Sequence, residues 1–276
     1  MPSRQELLAR YDLFLLDAYG VLVDGAGPLP GAKGFLDALE AAGRPFAILT
    51  NDASRLPATL AAGYRKWGLP IAEEVIVTSG GLLAAWVREC RLEGSAAMVL
   101  GPEDSREYAR RAGLRVVPLR GDAEPDVVLI GDEEGYDFLN GVDAAITAIV
   151  RGIERGRPPR LVAPNPDVLH PKGNGMLGIS SGAVAALIEG AVALRGGAVA
   201  PRFARLGKPR PELFRAGLRL FPEARAPLMV GDQVETDLRG AQAIGIDSLL
   251  VGTGVSKPRD LHAGVRPTWY LPRGLA

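Results

Sequence analysis

The sequence predicts an α/β protein built on a doubly wound parallel sheet, and two observations carry that expectation. Short apolar runs alternate with longer segments of helical periodicity along the whole chain. Several of the runs then stop at a polar or acidic residue, where open α/β sheets gather their chemistry. In order, the predicted strands are 13-LFLLD-17, 46-FAILT-50, 75-VIVTS-79, 97-AMVLG-101, 127-VVLIG-131, 161-LVAPN-165, 228-LMVGD-232 and 248-SLLVG-252. Runs this apolar suit strands buried on both faces, which implies crossover helices and parallel pairing. Between them lie 32-AKGFLDALEAAG-43, ended by Gly43, and 138-FLNGVDAAITAIVRGIERG-156. Gly and Pro gather in 117-VPLRGDAEPD-126 and 156-GRPPR-160, which read as loops.

The 276 residues allow one large or two modest domains. Formal net charge is zero, so no basic field favours nucleic acid or an anionic membrane surface. Lys occurs at only five positions, Lys33, Lys66, Lys172, Lys208 and Lys257, in a chain that otherwise uses Arg. Each Lys is therefore more informative than usual. Cys90 is the only cysteine, which excludes an intrachain disulfide and suits a reducing cytoplasm. It reads as structural, because neither His170 nor His262 stands in a context that would activate a thiol. The N-terminus lacks signal-peptide features, and no run approaches the roughly 18 apolar residues of a membrane span. The expectation is a soluble cytoplasmic protein.

The strand ends hold Asp17, Thr50 with Asn51, Asp132, Asn165 with Asp167, and Asp232. Any one of these could be an Asx turn or a helix cap. Four features together fit one reaction. Asp17 ends the first strand, with Gly20 allowing a sharp turn after it. Thr50 and Asn51 end the second strand. Lys208 stands in RLGKPRPELF, where Pro209 and Pro211 mark an extended entry to a helix. Asp232 and Asp237 follow a later strand in 231-GDQVETD-237.

In that order these motifs resemble the haloacid dehalogenase-like hydrolases, a superfamily of mainly phosphatases. GVLVDGAGPLPGA, TND-S, APNPDVLHPKGNGMLGISSGAVAALIE and GDQVETDLRGAQAIGIDSLLVGTGV look like its NagD-like and 4-nitrophenylphosphatase-like branch. The resemblance implies a Rossmann-like core, residues 1–81 and 176–276, with a smaller α/β cap inserted at 82–175. It implies Asp17 as a carboxylate nucleophile forming an aspartyl-phosphate. Asp17, the backbone carbonyl of Tyr19 and Asp232 would hold Mg²⁺, with Asp237 as a further ligand or support. Thr50, with the backbone of Asn51 and Asp52 after it, would bind the transferring phosphoryl group, and Lys208 would neutralise its charge.

Tyr19 departs from the pattern. Phosphatases of this type carry a second Asp there, which protonates the leaving alkoxide and then deprotonates the attacking water. A phenol, with an ordinary pKa of about 10, is a poor general base at neutral pH. Losing a placed acid/base costs a factor of roughly 10² to 10⁴. Three outcomes stay open: a slow phosphatase or one preferring activated leaving groups, an enzyme using another acid such as Asp24 or a cap residue, or a binding protein that has given up turnover. Dehalogenating relatives need no such acid, but the insertion point and the NPD stretch are those of the phosphatases.

In the cap, the resemblance sets Asn165 and Asp167 facing the substrate, where a self-capping Asn-Pro-Asp turn is the alternative. Asp132 would lie near the substrate entrance. His170, beside Pro171, reads as a loop residue, and 172-KGNG-175 as a hinge back to the core. No basic cluster in the cap marks a polyphosphate, so the expected partner is a small phosphorylated metabolite. Caps of similar proteins often pair, so a homodimer is expected by resemblance alone.

Overall fold

The computed structural model describes residues 2–173, 175–256, 260–261 and 264–276; Lys257 and His262 lie outside them. Two parallel sheets organise the chain. The larger has six strands in the spatial order Trp269–Leu271, Asp247–Val251, Pro227–Gly231, Leu13–Leu16, Phe46–Thr50 and Ile76–Thr78. Every neighbouring pair in it is parallel. The first strand lies at the centre, and the chain adds strands first on one side and then, much later, on the other. Asp17 and Asp232 thus leave adjacent strands beside a reversal of winding, where a crevice opens at the carboxyl ends.

Leu13, Phe14, Leu15 and Leu16 are fully buried. Alternation sends Phe14 and Leu16 to one face, against Phe35, Leu39, Leu60 and Tyr64, and Leu13 and Leu15 to the other, against Leu213 and Phe214. Helices cover both faces, which is why this strand carries no polar residue until it ends.

The second sheet has five parallel strands in the order Phe203–Arg205, Arg160–Ala163, Val127–Ile130, Ala96–Leu100 and Arg115–Val117. The Phe138–Glu154 and Ser181–Gly196 helices pack on one face, through Val142, Ile149, Val184, Ile188 and Val192. The Leu83–Cys90 and Glu103–Arg111 helices cover the other. This corrects the expected boundary at residue 175. The Ser181–Gly196 helix is the crossover that carries the chain to a parallel strand at 203–205, so the second sheet draws on residues as far as Arg205. That strand is three residues long and carries Arg205, so it shows no apolar run to read from the sequence.

Two other expectations change. The 172–175 stretch is no connection to the core but lies at the turn of an antiparallel hairpin, Leu169–Gly173 with Met176–Ile179 (Asn174 is outside the described residues). Ser181–Val199 is, by length and composition, apolar enough to cross a membrane; here its Val184, Ile188 and Val192 are buried against the second sheet.

Candidate active site

Asp17 is the first residue beyond the Leu13–Leu16 strand, and its N–H still donates to the Val230 carbonyl at 2.9 Å. Its carboxylate therefore projects from the strand end with a fixed backbone. Oδ1 accepts from the Ala18 N–H at 2.7 Å and lies 2.7 Å from Lys208 Nζ. Lys208 is 2% exposed, which demands full compensation of its charge. Its ammonium meets Asp237 Oδ1 at 2.8 Å and donates to the Leu49 carbonyl at 3.0 Å. Asp237 Oδ2 in turn accepts from the N–H groups of Asp232 and Gln233, at 3.1 and 3.0 Å. One lysine thus ties three distant segments together.

Asp232 ends the Pro227–Gly231 strand and accepts from the Val255 N–H at 2.7 Å. Its other oxygen, Oδ1, is buried without a hydrogen-bond partner. Burial raises the Asp17 pKa to about 7, with Lys208 opposing and Asp237 adding to the rise. Burial likewise lifts Asp232 well above the carboxylate range. For Lys208 burial acts downward, but Asp17 and Asp237 outweigh it and the pKa rises.

The residues fit a divalent cation. Oxygens of Asp17, Asp232 and Asp237 lie within 4.8 Å of one another. Counted as ionised, three buried carboxylates face one ammonium, an excess of negative charge that hard oxygen ligands offer to Mg²⁺. Space is kept for it: a Cβ at Gly20, whose φ is +83°, or at Gly254 would run into the Asp232 carboxylate.

Thr50 is buried at the end of the Phe46–Thr50 strand, and its Oγ1 accepts from the Asp52 N–H at 3.2 Å. Asn51 is turned to another use. It donates to Asp167 at 2.9 Å and accepts from the Lys208 N–H at 2.7 Å, fixing the lysine's backbone. The Asp52 carboxylate is also engaged, holding the Ser54 N–H at 2.7 Å and Arg55 through two hydrogen bonds at 2.9 and 2.6 Å. Both side chains are thus committed within the protein, and their carbonyls accept from the Ser79 hydroxyl at 2.6 and 3.2 Å. Asn165 caps its own turn, accepting from the Asp167 N–H at 2.9 Å, yet both residues face the cavity. Burial holds the Asp167 pKa up at about 6, against the pull of Lys208.

These groups floor a cavity of about 680 Å³ whose opposite wall comes from the loops of the second sheet. Asp132, Glu133 and Glu134 line it, as do Leu169 and His170. Tyr19 is part of the floor, with the Arg55 guanidinium 5.8 Å from its ring centre and His170 edge-on at 6.4 Å. His170 is accordingly a wall residue on the Leu169–Gly173 strand, not a loop residue, and burial lowers its pKa. Asp24 stands apart from the cavity lining. Its Oδ1 accepts from the Ala26 N–H at 2.8 Å in the turn between two short strands, so it is no substitute acid.

Sequence reasoning missed Glu133 and Arg55. Arg55 follows the second strand end within five residues, which was a usable signal. Nothing marked Glu133 out from its neighbours in 132-DEE-134. Three further contacts bind the second sheet over this loop. Asp104 accepts from the Leu56 N–H at 2.9 Å, Ser105 donates to the Ala53 carbonyl at 2.9 Å, and the Tyr108 hydroxyl donates to the Arg55 carbonyl at 2.9 Å.

The fold and site thus define an α/β protein with a buried lysine–carboxylate centre at the switch point of its parallel sheet and a second α/β layer over it. A family model described as haloacid dehalogenase-like hydrolase matches residues 14–115, and an allied hydrolase-like model matches 205–275. A dihydroxyacetone phosphatase of Corynebacterium glutamicum is 31% identical over 260 residues, 94% of this chain and 87% of the relative. The chain belongs to the haloacid dehalogenase-like hydrolases. Among solved structures, a possible sugar phosphatase from Cytophaga hutchinsonii has a TM-score of 0.82 at 29% identity, covering 98% of this chain and 96% of its own. A glycerol phosphate phosphatase from Mycobacterium tuberculosis, solved with magnesium, has a TM-score of 0.76 at 29% identity, over 98% of this chain and 76% of its own.

Proposed function

We propose that this chain is a Mg²⁺-dependent phosphoric monoester hydrolase that forms an aspartyl-phosphate on Asp17. The observation that carries this reading is the buried Lys208 bridging Asp17 and Asp237 beneath a ligand-sized cavity that Asp17 itself lines. Asp17 Oδ attacks phosphorus as the ester P–O bond breaks, and water later cleaves the acyl phosphate to restore the carboxylate. Lys208 holds one Asp17 oxygen in place and compensates charge on the transferring group, while Thr50 and the N–H groups after it hydrogen-bond that group. Asp17, Asp232 and the Tyr19 carbonyl would hold Mg²⁺, whose charge lets an anionic nucleophile meet an anionic phosphate. Asp237, with both oxygens engaged, supports the lysine and the Asp232 loop. The second sheet acts as the lid that shields the site from water. The phosphatases among its relatives and the small cavity favour a small phosphorylated metabolite as substrate, in a reducing cytoplasm that suits a single cysteine.

Tyr19 in place of an acid/base residue makes turnover slow and favours esters whose leaving group needs no proton. Phosphate release from an aryl phosphate with Mg²⁺ tests this. Wild type is expected to turn over, Asp17→Asn to fall to background, and Tyr19→Asp to gain roughly 10²-fold on alkyl esters. Wild type at background with an active Tyr19→Asp would instead mark a phosphate-binding protein that has given up catalysis. Turnover surviving Asp17→Asn would defeat the reading.

A further inference from the structure

We infer that Arg55 is a catalytic residue: its guanidinium, with the Tyr19 hydroxyl beside it, receives the leaving oxygen as an anion, and the substrate class is an aryl or acyl phosphate. The inference rests on the phosphatase reading and deepens it.

A displacement in line with Asp17 sends the leaving oxygen away from the nucleophile. With no carboxylic acid at position 19, that oxygen departs with the electron pair of the broken P–O bond and carries a full negative charge. Mg²⁺ and Lys208 are committed to the transferring group, so the new anion needs a cation of its own. Among the described lining residues the basic side chains are Arg55 and His170. Burial lowers the His170 pKa and favours its neutral form. Arg55 is the permanent charge: burial opposes it, but Asp52 outweighs burial and the pKa rises.

The guanidinium is placed before any ligand arrives. Asp52 Oδ2 accepts from its Nε and a terminal nitrogen, at 2.9 and 2.6 Å. Asp52 Oδ1 is itself fixed by the N–H groups of Ser54 and Arg55, at 2.7 and 2.9 Å. The Tyr108 hydroxyl anchors the Arg55 carbonyl. Asp52 thus takes two of the five guanidinium donors. The Arg55 side chain is nonetheless 37% exposed, against 7% for Asp52, and it lines one cavity with Asp17 and Tyr19. Its guanidinium carbon lies 5.8 Å from the Tyr19 ring centre, and the Tyr19 hydroxyl hydrogen-bonds it. A phenol oxygen that accepts from a guanidinium keeps its own O–H to donate. The pair therefore offers a leaving oxygen two donors and a charge, with no proton transferred. An aryloxide or carboxylate can be held in this way. An alkoxide, far more basic, still needs the missing acid.

The test compares 4-nitrophenyl phosphate with phenyl phosphate, whose leaving oxygen is the more basic, by kcat/KM with Mg²⁺. Arg55→Met is expected to lose about tenfold more on phenyl phosphate than on 4-nitrophenyl phosphate, the yield of one hydrogen bond to a charged group. Arg55→Lys should recover part of that difference, and Tyr19→Phe should show a smaller loss in the same direction. Equal losses on both esters in Arg55→Met overturn the inference, because they are what a merely structural role in the 51–56 loop would give. A second readout needs no turnover. The product 4-nitrophenol, bound to wild type and followed by its phenolate absorbance as pH is varied, should ionise about tenfold more readily than in water. Arg55→Met should abolish that shift, and no shift, or the same shift in the variant, overturns the inference. A wild type that hydrolyses neither ester defeats the phosphatase reading, while the nitrophenol titration still decides for or against Arg55.

Discussion

Lys208 shows how far one residue is committed at this site. Its ammonium touches Asp17, Asp237 and the Leu49 carbonyl, and it is almost wholly buried. Lys208→Met would leave two buried carboxylates uncompensated, which costs about 3–5 kcal/mol where a buried pair is broken. Urea unfolding should show that loss, and a change within about 0.5 kcal/mol would mean that the carboxylates are hydrated or protonated without it. Glu133 has a different signature. Its pKa is raised in the folded state, so the native protein holds a proton that the unfolded chain releases near the ordinary Glu value of about 4.3. Its stabilising contribution is complete below that value and declines as pH rises towards about 8. Wild-type stability should therefore fall with pH across that window more steeply than that of Glu133→Gln, measured by denaturant titration at several pH values. Parallel curves would rule the shift out.

At the scale of elements, the Ser181–Gly196 helix is the instructive case. Sequence reading gave it to the core domain because it follows the inserted segment, yet Val184, Ile188 and Val192 are buried under the second sheet. Ile188→Ala should cost about 2–5 kcal/mol, the usual range for truncating a buried aliphatic side chain. Equilibrium denaturation checks this, and a cost below about 0.5 kcal/mol would place the helix on a surface instead. Strand ends were legible for a simple reason. A strand buried on both faces tolerates no polar residue, so Asp17, Thr50 and Asp232 had to announce the places where burial stops. Short, edge or polar strands such as Arg115–Val117 and Phe203–Arg205 carry no such contrast and were missed.

For the whole molecule, Asp17, Asp232 and Asp237 come from the ends of the first sheet's strands, and the loops after the second sheet's strands supply much of the rest of the cavity wall. Binding of Mg²⁺ to the acidic centre should stabilise the fold by mass action, by about 2.7 kcal/mol when the ion is at 100 times its Kd. Thermal unfolding in EDTA against Mg²⁺ measures it, with Asp232→Asn expected to abolish most of the gain. An identical Tm in both buffers would deny the centre its metal. The sequence by itself determined the alternating α/β pattern, eight of the strands of the two parallel sheets and the order of Asp17, Thr50, Lys208 and Asp232, because burial and turn chemistry are written locally along the chain. Only the tertiary structure decided that Asn51 is engaged by Asp167 and Lys208, 116 and 157 residues away, that Glu133 and His170 line one cavity with Asp17, and that the second sheet reaches Arg205. Those facts depend on which distant segments pack together, and a residue's own neighbours in sequence do not carry that information.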